Sequence, residues 1–167
     1  IEPVAGSFRK LKKARSSRRN FLANVACVSK EYPDRTLPIA SSNLMSAPIG
    51  LDSDVPDPLG HATEGLAHLP PGSKVEIETV PVATLTEVLD RAKAPSQIDL
   101  FSLDVEGAEL EVLKGLDFDR YRFSLLLVES RQVERLTQFL NPLGYDLLEQ
   151  VSHHDYLFSP RAGTTVP

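Results

Sequence analysis

The stretch Ile98-Asp99-Leu100-Phe101-Ser102-Leu103-Asp104-Val105-Glu106-Gly107-Ala108-Glu109-Leu110 constrains this chain most. A short run of large apolar residues ends in a carboxylate, Asp104, and Gly107 marks a tight turn before a helical pattern begins. Strand, turn and helix in that order present an acid at the carboxyl end of a strand, the edge of an α/β sheet where ligands bind. Ser124 to Glu129 repeats the plan, an apolar strand running into Glu129.

The other elements read as scaffold around that edge. Ile1-Glu2 reads as the end of a strand, stopped by Pro3, which cannot donate to a ladder. A helix is expected over about Val4 to Ala14, with Val4, Phe8 and Leu11 inward. Its other side carries Arg9, Lys10, Lys12, Lys13 and Arg15, and Arg18 and Arg19 follow. A solvated helix face and a basic patch for phosphates are both open readings. Phe21 to Ser29 reads as a buried strand and Thr36 to Ala40 as another short one. Prolines and glycines then punctuate residues 41–73, a long loop that is either a functional lid or a disordered insertion, with a helical turn or two within Ala62 to Leu69.

Lys74 to Val80 alternates, which predicts a half-exposed strand with Val75, Ile77 and Thr79 opposite Glu76 and Glu78. Leu85, Val88 and Leu89 form a helical stripe with Thr84 as its N-cap. The helix after Asp104 is expected to reach about Lys114, with Gly115 as a left-handed C-cap. Val133, Leu136 and Leu140 mark the next helix, stopped by Pro142 and Gly144, and Tyr145 to Val151 and Asp155 to Phe158 a final antiparallel pair. Strands alternating with helices predict an α/β fold with a mostly parallel sheet and a C-terminal antiparallel strand. Right-handed crossovers would gather Glu2, the end of the Asn24 to Ser29 strand, Asp104 and Glu129 on one edge.

At 167 residues the chain is long enough for one domain with a real core. Its net charge of −5 argues against nucleic acid as a partner of the whole chain. One cysteine, Cys27, builds no disulfide framework, so a reducing, cytoplasmic setting is the simpler expectation. No apolar run reaches the roughly 20 residues that span a bilayer.

Asp104 could accept hydrogen bonds, take a proton or bind a metal, or it could merely cap the following helix. Glu109 falls among the apolar positions of that helix, where a carboxylate needs donors; free backbone N–H groups of the first turn are the mundane answer and a catalytic role the other. Asp104 and Glu129 on neighbouring strands could form a pair about 4.8 Å apart that moves a proton or holds Mg²⁺. His153-His154-Asp155 reads as a turn, because adjacent strand residues point to opposite faces and cannot easily chelate one ion.

From Asp104 to Gly115 the sequence resembles the FkbM family of S-adenosylmethionine-dependent methyltransferases. Ile1-Glu2-Pro3, Asn24 to Ser29, Val80-Pro81 through Thr84-Leu85, and Leu126 to Glu129 agree with it in order, and the likeness covers about residues 1–159. It implies a Rossmann-like sheet of strand order 3-2-1-4-5-7-6 and methyl transfer from S-adenosylmethionine, most often to a hydroxyl oxygen of a small molecule or sugar. Glu2 then matches the acid that holds the cofactor ribose. Asn24 to Cys27, with Ala26 among them, match the adenine side. Asp104 matches the acid facing the methionine end or the acceptor, with Glu129 as a second candidate for the proton and no metal assigned. The family's first strand and glycine-rich loop would lie just before Ile1. The expectation is therefore a truncated domain, with residues 160–167 a disordered tail, that alone neither folds stably nor holds cofactor. A non-catalytic methyltransferase-like scaffold and a nicotinamide-dependent enzyme are the rival readings.

Overall fold

The computed structural model describes residues 1–42 and 45–161; the tail expected at 160–167 lies largely outside them. In chain order the elements are α1 (Ala5–Ala14), β1 (Ala26–Cys27), β2 (Thr36–Ser41), β3 (Ala47–Pro48), α2 (Pro58–Gly65), β4 (Glu76–Ala83), α3 (Leu85–Ala92), β5 (Gln97–Leu103), α4 (Glu109–Lys114), β6 (Arg122–Glu129), α5 (Val133–Leu140), β7 (Tyr145–Gln150) and β8 (Asp155–Pro160). They form two four-stranded sheets, ordered β1-β4-β2-β3 and β5-β6-β8-β7.

The α/β class holds, but the sheets are mixed where the sequence predicted a mostly parallel one. Among the described residues β1–β4 and β5–β6 pair in parallel, and the other four ladders run antiparallel. The reason lies in residues 36–83. β2 lies antiparallel to β4 over six paired positions. The second sheet has the order the resemblance implies for the fourth to seventh strands. Its β5 edge has no strand partner among the described residues, and Leu100 beside that edge is 54 % exposed.

Sequence and structure agree closely on α3. Thr84 accepts from the Glu87 backbone N–H while the Glu87 carboxylate accepts from the Thr84 N–H, a reciprocal cap that leaves two donors satisfied. Leu85 and Val88 are buried from this helix. β4 departs from expectation in its facing. Ile77 is 62 % exposed, because the strand continues to Ala83 and Val80 and Val82, of the opposite parity, take the core side against Leu37 and Ile39. The strand expected over Phe21 to Ser29 pairs only at Ala26–Cys27.

The main core joins Phe123, Leu126, Val128, Leu136, Leu140, Tyr145 and Phe158 with Leu103, Val112 and Leu113. Phe101 stacks on Phe123 at 4.8 Å, and the Tyr145 hydroxyl accepts from the buried Phe123 N–H at 2.8 Å. This packing fixes the ends of β5 and β6, and hence Asp104 and Glu129, side by side.

Candidate active site

The tight turn expected at Gly107 is present, and the helix after it starts later than the apolar spacing from Val105 suggested. α4 starts at Glu109, and Val105 to Ala108 form a tight turn with Glu106 at φ +54° and Gly107 at φ +104°. Asp104 does not cap that helix, whose N-cap position is Ala108. The turn is held from inside by Glu109, whose buried Oε1 accepts from the Val105 and Gly107 N–H groups, each at 3.1 Å. Burial pushes the Glu109 carboxyl up to about 7, against the pull of those N–H donors. A glycine is required at 107 for a second reason: a Cβ there would come within 2.4 Å of Ser53 Oγ and 2.8 Å of Val55 Cγ2.

That contact brings the long loop onto the rim. Asp54 N–H donates to the Gly107 carbonyl at 3.0 Å, and Asp54 Oδ2 accepts from Ser130 Oγ and from the Arg131 N–H. Asp52 pairs with Arg135 at 2.6 Å and Lys114 at 3.6 Å. From α2, His61 Nε2 reaches Glu106 Oε2 at 2.8 Å. Residues 45–65 are therefore a built wall of the site, and they contain β3 and α2.

The ligand oxygens of Asp104, Glu106 and Glu129 lie within 4.8 Å of one another. Burial first, then a hydrogen bond to Asp104 and repulsion from Asp104 and Glu106, push the Glu129 carboxyl up to about 8. The Glu129 carboxyl therefore holds its proton more tightly than an isolated glutamate does, in an acid pair beside Asp104. Arg131 Nη2 stands 3.5 Å from Glu106 and 3.8 Å from Glu129, supplying positive charge beside them. Three such oxygens could also hold a hard divalent cation.

Glu2 and Asp104 line one cavity of about 360 Å³ between the two sheets, within the range of small-ligand sites. Val25, Ala26, Cys27, Leu37, Ile39 and Phe101 supply much of its apolar wall. Glu2 donates its N–H to the Ala23 carbonyl at 3.0 Å and accepts from the Val4 N–H through Oε1 at 2.8 Å, which leaves Oε2 for other donors. Asn24 does not line the cavity; its Nδ2 donates to the Glu2 and Pro3 carbonyls at 2.8 Å each and so holds the Glu2 backbone. Cys27 is neutral, its thiol pushed up to about 11 by burial. Glu129 stands behind Asp104, outside the cavity lining. Sequence reasoning missed His61, Arg131 and Asp54. Arg131, two residues after a strand-terminal acid, was findable by its place; a lone histidine in a long loop was not.

An α/β scaffold that sets strand-terminal acids around a cleft has the layout in which such sheets bind ligands, at the carboxyl ends of their strands. The sequence model of the methyltransferase FkbM domain matches residues 1–158, and the chain belongs to that methyltransferase family. No curated protein and no solved structure matches the chain.

Proposed function

We propose that the chain catalyses methyl transfer from S-adenosylmethionine to a hydroxyl oxygen of a small molecule or sugar. The observation that carries this reading is the shared cavity: Glu2 on one sheet's side and Asp104 at the tip of the other face the same apolar-walled space. The donor set suits the cofactor. A carboxylate with a spare oxygen suits a ribose diol, a small apolar wall at Ala26 and Cys27 suits adenine, and Asp104 suits a sulfonium. S-adenosylmethionine supplies an already activated methyl group when bound.

The chain's own residues then orient the acceptor and receive its proton. Asp104, exposed and facing the cavity, takes the proton from the acceptor hydroxyl. Glu129 donates its hydrogen bond to Asp104 and keeps the pair from carrying two full negative charges. Glu106, His61 and Arg131 form the acceptor side of the rim.

Isothermal titration with S-adenosylmethionine tests the reading. Heat of binding is expected with S-adenosylmethionine and none with NAD. Glu2→Ala is expected to weaken binding at least tenfold, about 1.4 kcal/mol. Asp104→Asn is expected to lower methyl transfer about 10² to 10⁴-fold. Binding of NAD in place of S-adenosylmethionine, or no effect of Glu2→Ala, would overturn it. The trio of carboxylates gives a metal reading some footing, and transfer unchanged by EDTA would remove it.

A further inference from the structure

The charges of this chain are segregated. Residues 1–19 hold seven of the 18 Lys and Arg and only one acid, Glu2; the remainder holds 11 bases against 22 acids. All seven bases, at 9, 10, 12, 13, 15, 18 and 19, are exposed, and α1 carries no acid in its first turn to offset them. Arg9, Lys12, Lys13, Arg15, Arg18 and Arg19 make no ion pair among the described residues, whereas Arg120, Arg131, Arg135 and Arg161 all do.

The segment after Leu11 is also folded, and it protrudes. Every residue from Lys12 to Phe21 is exposed. The loop closes on itself: Arg15 N–H donates to the Leu11 carbonyl at 2.8 Å, Asn20 Nδ2 to the Arg15 carbonyl at 3.0 Å, and Arg19 N–H to Ser17 Oγ at 3.2 Å. Its last residue is an aromatic, Phe21, 45 % exposed, immediately before the chain turns inward at Ala23.

We propose that this basic tip, from Lys12 to Phe21, docks the chain on an anionic lipid bilayer. Clustered Lys and Arg are drawn to the negative surface of such a bilayer, and an exposed apolar ring among them can enter the boundary between headgroups and acyl chains. A single nucleic-acid strand is the poorer fit, because it asks for a groove with stacking platforms along its length, and here one aromatic stands on a projecting tip. The acidic remainder of the chain is repelled by the same surface, which orients the molecule tip-first.

Co-sedimentation with phosphatidylcholine vesicles containing about 30 % phosphatidylserine, at about 0.1 M salt, tests this. The chain is expected to bind these vesicles, to ignore pure phosphatidylcholine, and to release when salt screens the charges. Each cation lost is expected to lower partitioning about fivefold, so Lys12→Gln, Lys13→Gln and Arg15→Gln together lower it about a hundredfold. The same change at three exposed bases elsewhere, Lys30→Gln, Lys74→Gln and Arg91→Gln, is expected to leave it within about twofold. Phe21→Ser is expected to weaken binding severalfold at unchanged charge. Circular dichroism of each variant separates surface loss from unfolding. Absence of binding to phosphatidylserine vesicles, an equal loss in both triple variants, or retention on heparin without vesicle binding would each overturn the proposal.

Discussion

Glu109 is 3 % exposed, and its carboxylate oxygen holds two backbone N–H groups of the turn that carries Glu106. Glu109→Ala leaves both donors buried without their acceptor, and is expected to cost about 2 to 4 kcal/mol in urea unfolding. Glu109→Gln keeps an acceptor oxygen and is expected to cost far less. The two raised carboxyls also set a pH dependence. Burial lifts Glu109 from 4.5 to about 7 and Glu129 from 4.5 to about 8. In that window the folded chain keeps protons that the unfolded chain has released, so stability falls as pH rises. The urea midpoint is expected to drop between about pH 5 and 8, and Glu109→Gln to flatten the lower part of the slope. A burial reason for Glu109 was legible from its helical spacing. That backbone N–H groups of this turn would hold it was legible as well; which two was not, because Val105 and Gly107 become available only once Glu106 adopts a positive φ, and a non-glycine residue does not announce that.

Among the elements, α3 is the one whose limits local chemistry writes out. Thr84 and Glu87 form the reciprocal cap, and Lys93 ends the helix in the left-handed region. Thr84→Ala is expected to cost about 1 kcal/mol by thermal or urea melting, with the fold intact. β5 and β6 were legible for the same kind of reason, since short, mostly apolar runs leading into acids admit few other shapes. The facing of β4 was not legible from Lys74 to Val80 alone. Two alternations overlap there, and the apolar pair Val80 and Val82 decides only after the strand has been followed to Ala83. In residues 41–73 the prolines and glycines mark turns but do not say what they turn toward. Asp52, Asp54 and His61 find partners up to 83 residues away, and no local pattern encodes that.

For the molecule as a whole, the two sheets meet around one cavity, so a ligand that touches both is expected to stabilise both. S-adenosylmethionine at about 100 times its dissociation constant is expected to add about 2.7 kcal/mol, seen as a rise in melting temperature that NAD does not produce. The sheets also meet where α4 ends. Gly115 is not the left-handed cap its position suggested; its φ is −81°, and its carbonyl accepts from the Thr86 N–H and hydroxyl. What demands a glycine there is proximity, since a Cβ would come within 2.2 Å of the Val28 carbonyl oxygen. Gly115→Ala is expected to cost about 1 to 3 kcal/mol and to loosen cofactor binding along with it, as read by melting and titration. Bare backbone against bare backbone leaves no side chain to trim or lengthen at that junction. The distance between the jaws is thus a fixed dimension, and ligand preference in this chain must evolve by resurfacing the jaws, since it cannot evolve by opening them.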